Sequence, residues 1–142
     1  MLFAVLAGDE SLAVHAFADA VAFYEQALAA GEASLRLAKA QNLREQMTYA
    51  ANDLVYVYMA LGNNRRTAEM EELATDLWRE LGNQPMLTDS LVNLASTKAL
   101  MGAFDEALAI AEEPLTISQS LDKTNGRSLS AFSSRYLSIV VG

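Results

Sequence analysis

The feature of this sequence that most constrains its fold is a turn signal repeated at a fixed interval. Gly62, Gly102 and Gly142 lie at successive intervals of 40 residues. Gly62 follows the apolar run 54–61, and Gly102 follows the equivalent segment 94–101. A constant period in this range indicates that one supersecondary unit is repeated along the chain, which is typical of a helical solenoid.

Segments one or two periods apart also match residue by residue. Residues 24–35 align with residues 104–115 at a shift of 80, with aromatic on aromatic, acid on acid and Ala-Leu on Ala-Leu. The middle copy, residues 64–75, matches less well because Ala68 replaces a leucine. Apolar columns at single-period spacing support the same frame: Leu37, Leu77 and Ile117; Ala30, Met70 and Ile110; and Leu54 with Leu94, where Ser134 breaks the column.

The composition favours helices over strands. Hydrophobic residues make up 52% of the 142 positions, and there are only two prolines. Beta-branched and aromatic residues do not alternate in runs, so no strand is predicted. We therefore predict a single all-α domain over residues 1–142, built from antiparallel helix pairs. The repeats are expected at about residues 10–41, 42–82 and 83–122, followed by a half-repeat at 123–142.

Seven helices are expected, and their ends have local physical reasons. Gly62 and Gly102 can adopt the left-handed conformation that closes a helix, and Asn63 or Asn64 can cap the next one. Pro85 suits a first helical turn, where its missing N–H group has no intrahelical partner to lose. The predicted helices cover about residues 11–21, 23–40, 43–61, 64–81, 85–101, 104–121 and 127–141.

Two positions disturb this scheme. Ala22 stands where the frame requires a turn glycine, and alanine does not break a helix. A single long helix over about residues 10–40 is therefore the alternative to two short ones. Pro114 falls inside the sixth helix, where it removes one backbone hydrogen bond and is expected to kink the helix.

Charge and cysteine content exclude several classes of protein. The formal net charge of −8 argues against nucleic-acid binding, which needs basic residues to neutralise phosphates. The absence of cysteine excludes disulfides and fits a reducing compartment, so a cytoplasmic location is expected. Residues 1–8 are apolar but lack a basic n-region and are followed by Asp9 and Glu10. Neither a signal peptide nor a transmembrane helix is therefore predicted, and no membrane partner is expected.

No set of residues points to catalysis, a metal or a cofactor. His15 is the only histidine, and no Ser or Cys nucleophile pairs with it by spacing. The sequence has no Gly-rich phosphate loop. Glu32, Glu72 and Glu112 recur with the period, but without histidine or convergent loop oxygens this column is interpreted as a solvated outer face. We expect a protein that is not an enzyme.

Aromatic residues on the central helices are expected to divide between the interior and the surface. Trp78 is interpreted as a packing residue. Tyr56 and Tyr58 are two positions apart in one helix, so they point to different faces and at most one belongs to the core.

Residues 102–115 resemble the tetratricopeptide (TPR) repeat. In that family a glycine closes the first helix of a pair, followed by an aromatic residue, an acidic pair and a small alanine where the two helices cross. These positions are Gly102, Phe104, Asp105 with Glu106, and Ala107. The family's large-apolar, leucine and small positions of the first helix fall on the following residues: Leu91, Leu94 and Ala95 in one repeat, and Ala51, Leu54 and Val55 in the preceding one, with the family's tyrosine at Tyr58.

The sequence departs from the standard TPR pattern in three respects. Its period is 40 residues, whereas the family has about 34. Thr67 and Ser134 stand where the family has Ala and Leu. The longer period is similar to that of arrays in large bacterial signalling ATPases, nucleotide cyclases and LuxR-type regulators, where the array is a docking or sensor arm. The resemblance thus implies a right-handed superhelix that is a fragment of a longer array.

For function, the resemblance implies a non-catalytic module that binds a protein or peptide partner on the concave face. The alternative is a sensor that holds a small effector in the same groove. An open groove with polar side chains favours the first, and a closed pocket with aromatic walls favours the second. The ligand-facing positions carried over from the family are Tyr49, Asn52, Tyr56 and Met59; Asp89, Val92, Ser96 and Ala99; and Leu129, Phe132, Tyr136 and Ile139. Packing between helices is the preferred interpretation of Val92, Ala99 and Ile139, and it is the alternative for Tyr56, Phe132 and Tyr136.

The C-terminal helix predicted at residues 127–141 is apolar around more than one stripe. A terminal repeat needs a polar outer face, because each repeat covers the apolar side of its neighbour. An apolar patch of this kind marks an interface. We therefore predict self-association as a homodimer through this helix, involving Phe132, Tyr136 and Val140.

Overall fold

The computed structural model describes residues 2–125, and this part of the chain is helical apart from short turns. It contains no strand within those residues, so the all-α prediction is confirmed. The last predicted helix, residues 127–141, lies outside the described residues. The helices are α1 (Leu2–Ala40), α2 (Arg44–Ala60), α3 (Asn64–Leu81), α4 (Gln84–Leu100) and α5 (Phe104–Asn125).

The first two predicted helices are a single helix. α1 continues for 39 residues, so the division at Ala22 is wrong and the alternative of one long helix is confirmed. Alanine has the highest helix propensity, and the left-handed conformation that a turn requires is strained for it. Because of this fusion, residues 2–125 hold five helices, whereas six of the seven predicted helices fall in that range.

The turns that end α1 to α4 share one construction. Each contains one residue with a positive φ angle, between 55° and 82°, and these residues lie at intervals of 20: Asn42, Gly62, Gly82 and Gly102. In the turn after α2, the Gly62 N–H donates to the carbonyl of Met59 (3.0 Å) and the Asn63 N–H to that of Tyr58 (2.9 Å). This Schellman arrangement satisfies the last carbonyls of a helix. The predicted glycine stops are confirmed, and a left-handed turn residue follows each of the helices α1 to α4 rather than every second one.

Asparagine side chains cap two of the following helices. The side-chain oxygens of Asn63 and Asn83 accept hydrogen bonds from the backbone N–H groups of Arg66 (3.1 Å) and Met86 (3.2 Å). These bonds satisfy donors that the first turn of a helix leaves without an intrahelical partner. Of the two predicted caps, Asn63 is confirmed, whereas Asn64 is the first residue of α3.

Both prolines lie within helices. Pro85 is in the first turn of α4, as predicted. Pro114 lies inside α5, which continues past it to Asn125, and its side chain is fully buried. The missing N–H of Pro114 therefore does not end the helix.

Extensive packing joins each helix to the next one along the chain, from α1 to α5. One buried cluster lies among α1, α2 and α3 and includes Leu35, Leu54 and Leu77. A second joins α2, α3 and α4 around Ala51 and Trp78. Since α2 and α3 contribute to both clusters, they form the centre of the described structure.

Three predictions about individual side chains can be compared with their burial. Tyr58 is 4% exposed and Tyr56 is 70% exposed, so only one of the two tyrosines belongs to the core, as predicted. Trp78 is 3% exposed, which confirms its packing role. Ala107 is 3% exposed on α5, the helix that packs on α4, and this agrees with its predicted place at a helix crossing.

The N-terminal half of α1 lies apart from this core. All residues from 8 to 20 are exposed, among them Leu12, Val14 and Phe17 at 67–73%. The 17-residue α2 is less than half as long as α1 and pairs with the C-terminal part of it. Within residues 2–125, no helix combines the length and apolar character needed to cross a membrane.

Candidate binding groove on α2, α3 and α4

The candidate site is a groove of about 490 Å³ formed by three consecutive helices. α2 contributes Tyr49, Asn52, Val55, Tyr56 and Met59. α4 contributes Met86, Asp89, Ser90 and Asn93. Between them, α3 contributes Glu71 and Ala74, both of which are buried and form the floor.

Five of the predicted ligand-facing residues line this groove: Tyr49, Asn52, Tyr56, Met59 and Asp89. They come together because positions three or four apart share one face of a helix, and the turn at Gly62 and the next at Gly82 return α4 to the side of α2. The positions carried over from the family resemblance are therefore contiguous on α2 and continue onto α4.

Other predicted positions lie elsewhere. Ser96 is half-buried, and its hydroxyl donates to the Val92 carbonyl of its own helix (2.9 Å) rather than lining the groove. Val92 and Ala99 are half-buried and also absent from the lining. Val92 lies between the lining residues Ser90 and Asn93, and Ala99 lies six residues past Asn93. The remaining positions fall outside the described residues: Leu129, Phe132, Tyr136 and Ile139, together with Val140 of the predicted dimer interface.

The walls of the groove present apolar and aromatic side chains to solvent. Tyr56 is 70% exposed, Tyr49 53% and Met59 51%. Tyr49 is held in place by an edge-to-face contact with the buried Trp78, at 6.0 Å between ring centroids and an interplanar angle of 82°. Such a contact orients an aromatic ring while leaving its other surfaces accessible. Exposed aromatic and methionine side chains around a concavity are features of protein-binding surfaces.

Glu71 places an ionisable carboxyl group on the floor of the groove. Its side chain is 3% exposed, and neither carboxylate oxygen accepts a hydrogen bond of regular geometry among the described residues, although the Thr97 side chain is near enough to act on the carboxyl. Burial raises the pKa of the Glu71 carboxyl above the ordinary glutamate value, and the neighbouring Thr97 side chain, which favours the charged form, offsets only part of this effect. A buried carboxyl group without a partner is costly because water no longer solvates it.

Sequence reasoning missed Glu71 and the α4 residues Met86, Ser90 and Asn93. A signal for Glu71 was present, since it lies on the buried stripe of α3 with Thr67, Ala74 and Trp78 at spacings of four, three and seven. An acid on the apolar stripe of an amphipathic helix indicates a functional or paired carboxyl. The residue type alone does not separate Glu71 from Glu72, which is the neighbouring acid.

The predicted acidic column is only partly a solvated face. Glu72 and Glu112 are exposed, and Glu72 pairs with Lys98 of α4 (2.9 Å). Glu32 is half-buried and accepts a hydrogen bond from the Tyr58 hydroxyl (2.7 Å). Among the described residues, no three His, Cys, Asp or Glu side chains are grouped as metal ligands.

The Glu32 contact belongs to a cluster that joins three helices. Arg66 of α3 donates to the Tyr58 hydroxyl (3.2 Å), and its guanidinium carbon lies 5.3 Å from the centre of the Tyr58 ring. Burial raises the pKa of Tyr58, and its hydrogen bond to Glu32 acts in the same direction, while Arg66 opposes them. This cluster holds α1, α2 and α3 together on the side that does not line the groove.

His15, the only histidine, is exposed in the N-terminal half of α1. Its Nδ1 lies 2.6 Å from the Ser11 carbonyl, to which it donates. His15 does not line the groove.

No protein-family model matches this sequence, and no curated protein matches it significantly. Function is therefore inferred from the groove and from the TPR resemblance.

Proposed function

We propose that this protein is a non-catalytic interaction module that binds a protein or peptide segment in the groove of α2, α3 and α4. We further propose that its helices form a TPR-like solenoid. Two features of the fold support a solenoid: identical turns recur every 20 residues, and extensive packing is confined to helices adjacent in the chain. A bundle around a central axis would also bring distant helices together.

The single observation that carries the proposed function is the exposure of Tyr56, Tyr49 and Met59 along one wall of the groove, at 51–70%. Leaving large apolar side chains in water forgoes the stabilisation that burial would give, about 25 cal/mol for each Å² of apolar area. A partner that covers these side chains recovers that stabilisation at the interface. Tyrosine and methionine also adapt to the shape of a partner at low entropic cost.

The alternative function is a small-ligand sensor that uses the same groove. A small-ligand site encloses most of its ligand's surface. The more-than-half-exposed Tyr49 and Tyr56 favour an open groove and hence a polypeptide ligand. By analogy with the arrays that the sequence resembles, we place this module in a larger bacterial signalling or regulatory protein of the cytoplasm.

Peptide selection against the full chain tests this proposal. A random peptide library displayed on phage is selected on the immobilised protein, and the enriched peptides are measured by titration. We expect replacement of Tyr56 and Met59 by serine to weaken these peptides at least tenfold, which corresponds to about 1.4 kcal/mol.

A matched control is Phe104→Ser on α5, because Phe104 is 65% exposed and does not line the groove. This variant is expected to bind the peptides as the parent protein does. Peptides that bind both variants equally would contradict the groove assignment. A small metabolite that raises the melting temperature only while Tyr56 is present, without any enriched peptide, would favour the sensor instead.

A further inference from the structure

Glu71 is the only charged side chain among the fully buried residues of the described chain. Two other buried polar groups there lack hydrogen-bond partners, the Thr75 hydroxyl and the Trp78 Nε1, but neither lines the groove. The unpartnered carboxyl therefore belongs to a residue of the groove lining, on its buried floor. A buried ionisable group without a partner in a concavity is a candidate functional site.

The surroundings of Glu71 favour a positively charged ligand. Asp89 on α4 adds a second carboxylate at the wall, and no lysine, arginine or histidine lines the groove in the described structure. Tyr49 and Tyr56 add aromatic rings, whose faces attract cations. The whole chain carries a net charge of −8, so its long-range field also attracts basic partners.

The size of the groove indicates what kind of cationic ligand it can hold. Its volume of about 490 Å³ far exceeds that of a bare metal ion, and no metal-ligand cluster occurs in the described residues. Lysine and arginine side chains combine a cationic head with an apolar stem that packs along aromatic and methionine surfaces. Tyr56 and Met59 provide that surface in the groove that Glu71 also lines.

We propose that the groove recognises a lysine or arginine side chain of a protein partner, with the Glu71 carboxylate as its buried counter-ion. This proposal rests on the proposed function and specifies the partner's chemistry. The stem lies between the α2 and α4 walls, and the head reaches the floor, where it supplies the hydrogen bonds that Glu71 lacks. Asp89 attracts the head at the rim, and the rest of the partner chain passes over the exposed tyrosines.

Titration of the ¹⁵N-labelled full chain, followed by NMR, tests this. The probes are capped pentapeptides with a central lysine, arginine, norleucine or glutamate between glycines. Norleucine keeps the stem of lysine without its charge. We expect the lysine and arginine peptides to shift the amide signals of Glu71, Tyr56 and Asp89, and to bind at least tenfold more tightly than the norleucine and glutamate peptides.

Two isosteric variants separate specific recognition from general charge. Glu71→Gln should reduce the affinity for the basic peptides at least tenfold. Glu112→Gln removes the same charge from an exposed site on α5 and should change the affinity less than twofold. Asp89→Asn provides a second groove variant, with an expected loss of two- to fivefold, should Glu71→Gln fail to fold.

The outcomes are distinguishable. Equal losses in Glu71→Gln and Glu112→Gln, or norleucine binding as well as lysine, would overturn the basic-ligand proposal while leaving a peptide groove intact. If spermidine binds in a Glu71-dependent manner and the basic peptides do not, a protein side chain is the wrong source. If neither these peptides nor the phage-selected ones shift any groove signal, the proposed function itself fails.

Discussion

Gly31 lies at a close approach of α1 to α2. A Cβ atom added there would lie 2.7 Å from the Leu54 Cδ2 and 3.1 Å from its Cγ. Leu54 is 1% exposed and belongs to the cluster that joins α1, α2 and α3. Gly31→Ala therefore forces a fully buried side chain to move or the two helices to separate.

The magnitude follows from two opposing effects. Replacing glycine by alanine inside a helix stabilises it by about 1 kcal/mol. Overpacking a close-packed core costs about 1–3 kcal/mol. The net expectation for Gly31→Ala is a loss of roughly 0–2 kcal/mol, centred near 1 kcal/mol.

Gly8 on the same helix provides the matched control, because a Cβ there meets no atom within 4 Å. Gly8→Ala should stabilise the protein or leave it unchanged, within about 1 kcal/mol. Urea unfolding followed by circular dichroism measures both variants. With a slope of about 2 kcal/mol per molar, a 1 kcal/mol loss lowers the midpoint by about 0.5 M.

A double-mutant cycle isolates the steric effect. Leu54→Ala removes both contacted atoms, so Gly31→Ala in that background should regain its helix-forming advantage and become neutral or stabilising. The expected coupling energy is about 1–3 kcal/mol. If Gly31→Ala raises the urea midpoint as much as Gly8→Ala does, the close approach of α1 and α2 at this point is refuted.

Three further changes test other parts of the structure. Ala107→Leu should overpack the crossing of α4 and α5 and destabilise the protein by about 1–3 kcal/mol; an unchanged urea midpoint would show that Ala107 is not at a tight contact. Tyr58→Phe removes the hydroxyl that bridges Glu32 and Arg66. It should lower the free energy of unfolding by about 0.5–1.5 kcal/mol, as measured by thermal unfolding. An unchanged stability would show that the bridge is absent in solution. Because the folded-state pKa of Glu71 is raised, its contribution favours folding at low pH and is lost as the pH rises from the ordinary glutamate value through the raised pKa. The stability of Glu71→Gln relative to the parent protein should therefore increase as the pH rises above the ordinary glutamate value. A stability difference independent of pH would contradict the burial of a titrating carboxyl.

Local sequence determined the helix boundaries and the faces of α2. Left-handed turns favour glycine or asparagine at one position. Gly62 and Gly102 therefore predicted helix ends from local sequence alone, without information about the packing of other helices. Helical geometry alone placed Tyr56 and Tyr58 on different faces and grouped Tyr49, Asn52 and Met59 on one. The predicted division at Ala22 is wrong for the same reason, because alanine does not favour a left-handed turn and α1 continues through this position.

Only the tertiary structure decided which side chains are buried away from solvent and which of these have no hydrogen-bond partner. Glu71 and Glu72 are adjacent and chemically identical, yet one is buried on the groove floor and the other pairs with Lys98 at the surface. Gly31 and Gly8 are likewise both helical glycines, and only Gly31 meets a neighbouring helix. These distinctions arise from how α3 is placed between α2 and α4 and how α2 lies along α1. Desolvation and steric contact are properties of the environment that distant residues create, so the same amino acid has different energies at positions that the sequence pattern treats as equivalent.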